Sequence, residues 1–183
     1  MSLASSLEGD LARSTGAHAE AAAHYREALR LLGQTGPRGW RFEALHKLGH
    51  ATGRLGNTRE ARALFTEALL LCGELGDRRG AAQAVAGMAC VMAQDEPQQA
   101  VRLLGAATAA AAKIESRHNL SFQADCDHSL CVARAQLGDE AFDLAWTEGQ
   151  CMTLEQAVIA ALDTTRTATT AITPERTDPT WQE

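Results

Sequence analysis

Two short stretches hold the side chains best suited to chemistry. In "EALHKLGH" (43–50), His46 and His50 stand four residues apart, a spacing that puts two imidazoles on one face of a helix, as zinc sites often do. Glu43 is the nearest further ligand on that face, but Lys47 stands where a metalloprotease motif needs Glu after the first His. In "DCDHSLC" (125–131), Asp125, Cys126, Asp127, His128 and Cys131 gather within seven residues. On a helix Cys126 and Cys131 splay apart, although His128 or Asp127 can share a face with Cys131. Neither stretch completes a ligand set, and no oxyanion-stabilising element accompanies the Cys and His for nucleophilic catalysis. No catalytic residue, metal or cofactor is therefore expected. An enzyme or metalloprotein built around one of these stretches is the alternative.

Whatever these residues do, helices must position them. Of the 183 residues 45% are hydrophobic and only 4% aromatic. The apolar share is mostly Ala and Leu, which lose little on entering a helix, so an all-α fold is expected. The net charge of −6 is spread unevenly: residues 1–93 carry 11 basic and 9 acidic side chains, and 94–183 carry 6 and 14. Such a chain has no basic surface with which to displace counterions from phosphates, so no direct nucleic-acid partner is expected. The five cysteines follow no framework spacing and read as small core residues in a reducing compartment. The start "MSLASSLEGDLARS" has neither a basic nor an apolar signal region, and no stretch is long enough to span a bilayer. A cytoplasmic protein without membrane contact is expected.

The helices come in a repeating unit. Residues 16–39 and 56–79 align at an offset of 40 with eleven identities in 24 pairs, among them Gly16/Gly56, Ala21/Ala61, Glu27/Glu67, Ala28/Ala68 and Gly36/Gly76. A period of this size means stacked supersecondary units, each unable to bury its apolar face alone. In the second copy Phe42, Leu45, Leu48, Gly49 and Thr52 mark one helix, and Ala61, Leu64, Phe65, Ala68 and Cys72 mark the next. Between them Gly56 ends the first helix, and Asn57 or Thr58 caps the second. Gly49, Ala61 and Ala68 allow close helix approach, with Phe65 and its counterpart Tyr25 filling the space above them. A fainter third copy places Ala100, Leu104 and Ala107 in register, with Pro97 in the first turn of its second helix.

This unit resembles the tetratricopeptide repeat, with Leu48-Gly49, Gly56, Ala61, Phe65 and Ala68 at the family's positions. The resemblance implies an all-α solenoid of about three helical hairpins. The 40-residue period exceeds the family's usual length and implies longer hairpins with an extra loop such as "GELGDRRG". It further implies an inner groove lined by the first helix of each hairpin. Carried across, that groove holds Ser6, Asp10 and Arg13 from the first unit, Glu43, His46, Lys47 and His50 from the second, and Val85, Ala89 and Met92 from the third. Such a groove suits an extended or helical peptide, so a protein or peptide partner is expected.

Beyond the repeats, Asp139 or a neighbour begins a short helix with Phe142, Ala145 and Trp146 on its apolar side. Thr153 and Gln156 then have capping-box spacing ahead of Leu154, Ala157, Val158 and Leu162. These helices cap the stack, giving a domain over 1–162. Residues 163–183, Thr-rich with two prolines, read as a disordered tail. "RLLGAA" (102–107) and "LGDEAFDLAWTEGQCMTLEQAV" (137–158) are also similar to the C-terminal end of actinobacterial LuxR- and AfsR-type regulators and NB-ARC signalling ATPases. That resemblance implies a non-catalytic sensor or scaffold module of a bacterial transcriptional regulator or signalling ATPase. Leu3, Leu7 and Leu11, spaced by four, offer self-association through the N-terminal hairpin as a further alternative.

Overall fold

The apolar periodicity becomes helix almost throughout. A computed structural model describes residues 2–33, 35–114 and 120–170, and these contain nine α-helices and no strand. They are α1 (Ser2–Ser14), α2 (His18–Leu32), α3 (Arg38–Arg54), α4 (Thr58–Leu75), α5 (Arg78–Met92), α6 (Pro97–Lys113), α7 (Leu120–Leu137), α8 (Asp139–Cys151) and α9 (Leu154–Thr170). The fold is all-α. None of the described helices is long and apolar enough to cross a membrane.

From α1 to α6 each helix packs on the next. The turns after α1, α2, α3 and α4 each hold a glycine at positive φ that no L side chain replaces cheaply. Gly16 and Gly56, equivalent in the two copies, take φ values of 79° and 78°. Asn57 occupies the cap position of α4, but its side chain makes no capping hydrogen bond, contrary to expectation. A cap the sequence reading missed is Asp77, whose carboxylate accepts from the Gly80 amide at 2.9 Å. The extra length of the repeat is also not a loop. "GEL" belongs to the last turn of α4, and only Gly76 and Asp77 separate it from α5. The additional residues lengthen the helices instead.

Small residues set how closely the helices approach. A Cβ on Gly49 would fall 2.8 Å from Cζ of Phe65 and one on Gly87 2.3 Å from its Cε1, so the tip of the ring lies where α3 and α5 both leave room for it. In the first copy Gly9 does the same for Tyr25, at 2.5 Å from Cε1. Glu8-Gly9 therefore keeps the packing role of Leu48-Gly49 without its Leu. Tyr25, Phe65, Ala21, Ala61 and Ala68 have no exposed surface.

The C-terminal helices fold back over the stack. α8 packs on α6 so closely that a Cβ on Gly105 would fall 2.8 Å from the Trp146 carbonyl oxygen, and one on Gly149 would strike the Arg102 backbone. The capping box forms as expected: the Thr153 amide donates to Gln156 Oε1 at 2.9 Å, and the Gln156 amide donates to Thr153 Oγ1 at 3.2 Å. α9 then covers α5 and α6 with Ala157 and Ala161. It continues to Thr170, eight residues past the expected end of the domain, because Thr164 still packs on it, its hydroxyl on Met92 sulfur and the Ala161 carbonyl. Residues 171–183 of the expected tail lie outside the described residues.

Candidate binding site

The residues expected to line the groove come from α1, α3 and α5. Lys47 ties α3 to α1, its ammonium donating to Asp10 Oδ2 at 2.8 Å and to Ser6 Oγ at 3.4 Å. Glu43 Oε1 lies 2.9 Å away on the same helix. Burial alone would lower the Lys47 pKa, but Asp10 and Glu43 outweigh it and raise it. Asp10 also accepts from the Tyr25 hydroxyl at 2.8 Å, so the repeat's aromatic and the Lys47 partner are joined directly. Burial, reinforced by Asp10, pushes the Tyr25 phenol well above its ordinary value.

His46 and His50 are only 6% and 5% exposed. His46 Nε2 donates to the Gln83 carbonyl on α5 at 3.2 Å, and its ring stacks on Phe42 with centroids 5.6 Å apart. Burial, together with the neighbouring His50, lowers the His46 pKa to about 3, so the imidazole is neutral. His50 is lowered by burial as well, opposed by its bond to Asp125.

What buries them is α7. Phe122 stacks on His50 at 4.1 Å and meets His46 edge-on at 4.8 Å, while the Arg13 guanidinium lies over the other part of its ring at 5.4 Å. One turn later Asp125 accepts from His50 Nδ1 at 3.2 Å and from Arg54 at 2.8 Å. Burial opposes its ionisation, but His50 and Arg54 prevail and hold the Asp125 carboxyl below its usual range. The first half of α7 thus lies on the face that α1, α3 and α5 present, and its second half packs through Ala133 against Val101, Phe142 and Ala145. Val85, Ala89 and Met92 were expected to face a partner, but have no exposed surface. They belong to the core that includes Ala157 and Ala161 of α9.

The Asp125–Cys131 stretch does not converge. Asp125 turns to α3 and Cys126 to α5, whereas Asp127, His128 and Cys131 are exposed. Among the described residues no three His, Cys, Asp or Glu side chains come together to hold a metal ion. Nor are all the cysteines core residues, since Cys131 and Cys151 are exposed. Beside the seated helix a cavity of about 320 Å³ opens between α3, α5 and α7, walled by His50, Arg54, Cys90, Gln94, Asp125 and His128.

Sequence reasoning singled out α3's polar residues but not Phe122, which organises them. The available signal was the lone aromatic of α7, three residues before Asp125. No protein-family model, curated protein or solved structure matches this chain.

Proposed function

We propose that this chain is a non-catalytic binding module, a tetratricopeptide-like stack of about three helical hairpins whose inner face is shaped to hold a helix. The observation that carries this reading is the seating of α7, with an aromatic ring between His46, His50 and Arg13 and a carboxylate one turn on between His50 and Arg54. A partner helix presenting an aromatic and an acid at the same spacing would meet the same neighbours. In this reading α7 occupies the site until a partner competes for it. The resemblance of the C-terminal segment supports a place as the sensor or scaffold module of a bacterial regulator or signalling ATPase.

The test is binding in trans. The full chain carrying Phe122→Ala and Asp125→Ala should bind a labelled peptide of residues 120–137, while the unaltered chain, already occupied, should bind it far more weakly. A folded variant that takes up no peptide contradicts the proposal.

A second reading, self-association, is favoured by one observation. Leu3, Leu7 and Leu11 are 55%, 65% and 69% exposed along one face of α1. It requires a dimer in sedimentation that Leu7→Glu dissociates, and a monomer at all concentrations excludes it.

A further inference from the structure

Cys90 on α5 and Cys126 on α7 are 36 residues apart in sequence, yet their sulfurs lie 3.7 Å apart, the Cys90 S–H donating to Cys126. The helices cross closely there, since Ser129 Oγ, one turn after Cys126, donates to the Cys90 carbonyl at 3.4 Å. The pair is reachable from two sides, Cys90 forming part of the wall of the 320 Å³ cavity and Cys126 lining a smaller pocket beside His46, His50 and Phe122. The other cysteines differ. Cys72 is buried, its thiol pushed up to about 12 by burial and by Asp77, while Cys131 and Cys151 are exposed.

We propose that Cys90 and Cys126 form a dithiol modification site, oxidised by hydrogen peroxide to a disulfide that fastens the first half of α7 onto α5. The sulfurs need to close by about 1.7 Å to reach bonding distance, within the range of side-chain rotation and a small helix shift. The hydrogen bond from Cys90 holds the Cys126 thiol below its ordinary range, against burial and the nearby Asp125 and Asp127, and the same disulfide results whichever of the two sulfurs attacks first. With Cys126 as the attacker, its thiolate takes one peroxide oxygen: an S–O bond forms, the O–O bond breaks, and the departing hydroxide leaves as water with the proton Cys126 gave up. The Cys90 sulfur then displaces the hydroxyl from the Cys126 sulfenic acid. An S–S bond forms, the S–O bond breaks, and a second water leaves with the Cys90 proton. Two thiols lose two electrons, and one peroxide gains them.

This inference stands on the two sulfurs and the cavity rather than on the partner reading. Joined to that reading, it makes the oxidised chain the form in which the face is closed.

The test uses the full chain with Cys131→Ser and Cys151→Ser, which leaves Cys72, Cys90 and Cys126. After peroxide, intact mass in non-reducing denaturant should fall by about 2 Da per monomer, and dithiothreitol should restore it. Tryptic mapping should find the Cys90 and Cys126 peptides linked, with Cys72 still open to alkylation after unfolding. Adding Cys126→Ala should abolish the mass loss, and if that variant does not fold, the linked-peptide map of its parent decides alone. The proposal is overturned if Cys90 and Cys126 both remain alkylatable, if each only gains oxygen, or if the sole disulfide joins two chains.

Discussion

His46 shows how burial, rather than residue type, fixes what a side chain contributes. An imidazole on a polar stretch of sequence reads as a surface group or a ligand, but this one is held neutral against Phe42, Phe65 and Phe122, with one nitrogen committed to the Gln83 carbonyl. Its folded pKa of about 3 lies below the unfolded value of 6.5. The unfolded chain therefore binds the proton more readily, and the stability tied to neutral His46 is complete above pH 6.5 and lost as pH falls toward 3. At pH 5 this one residue should cost roughly 2 kcal/mol relative to pH 7, with a further loss of the same sign from His50. Denaturant unfolding at the two pH values measures it, and His46→Phe should flatten the dependence. A wild-type stability unchanged between pH 7 and pH 5 would show that His46 is not buried neutral. Replacing both histidines by Ala at pH 7 should also destabilise, by about 2–4 kcal/mol, because it leaves a cavity beneath Phe122.

At the scale of elements, glycines separate helix crossings from plain helix. A Cβ at Gly149 would strike the Arg102 backbone on α6, which cannot rotate away, so Gly149→Ala should destabilise by about 1–3 kcal/mol. At Gly73, inside α4, nothing lies within 4 Å of a Cβ, and Gly73→Ala should stabilise by up to about 1 kcal/mol. Paired thermal melts check both; equal effects would mean that α6 and α8 do not cross at these glycines. Ala61, fully buried beside Gly53, should likewise not tolerate Arg, which would bring an unpartnered charge into the core. Much at this scale was legible in the sequence. The period, Gly56, the Gly49–Phe65 contact, Pro97 and the Thr153–Gln156 box all depend on contacts within one helix or one hairpin, where spacing is informative. The Phe122 and Asp125 contacts were not legible, because they join α7 to residues of α3 and α1 that lie between 71 and 109 positions earlier, and no periodicity links a chain to a segment it meets only in space. The same limit hid the Cys90–Cys126 pair and left Val85, Ala89 and Met92 looking available to a partner.

At the scale of the whole molecule, α7 and α9 close a face that the first six helices leave open, but they are held differently. α9 contributes Ala157 and Ala161 to the main core, so removing it exposes apolar surface around Met92. A cut after Leu162 removes Thr164 from Met92 and should cost on the order of 1 kcal/mol, readable as a lower melting temperature; no loss would mean the end of α9 contributes nothing to the core. The first half of α7, in contrast, is seated mainly over polar neighbours by Phe122 and Asp125, with Cys126 its one side chain in the main core and Ser129 bonded to the Cys90 carbonyl, while its second half is anchored by Ala133. The first half of α7 should therefore open locally while the rest of the domain stays closed. Hydrogen exchange read by mass spectrometry on the unaltered chain and on Phe122→Ala with Asp125→Ala measures this directly. The prediction is that amides of 122–129 lose protection in the variant while those of α2, α4 and α6 keep theirs. Uniform loss across all helices would make α7 an inseparable part of the core, and unchanged protection at 122–129 would mean that Phe122 and Asp125 do not seat it; either contradicts a displaceable helix on the inner face.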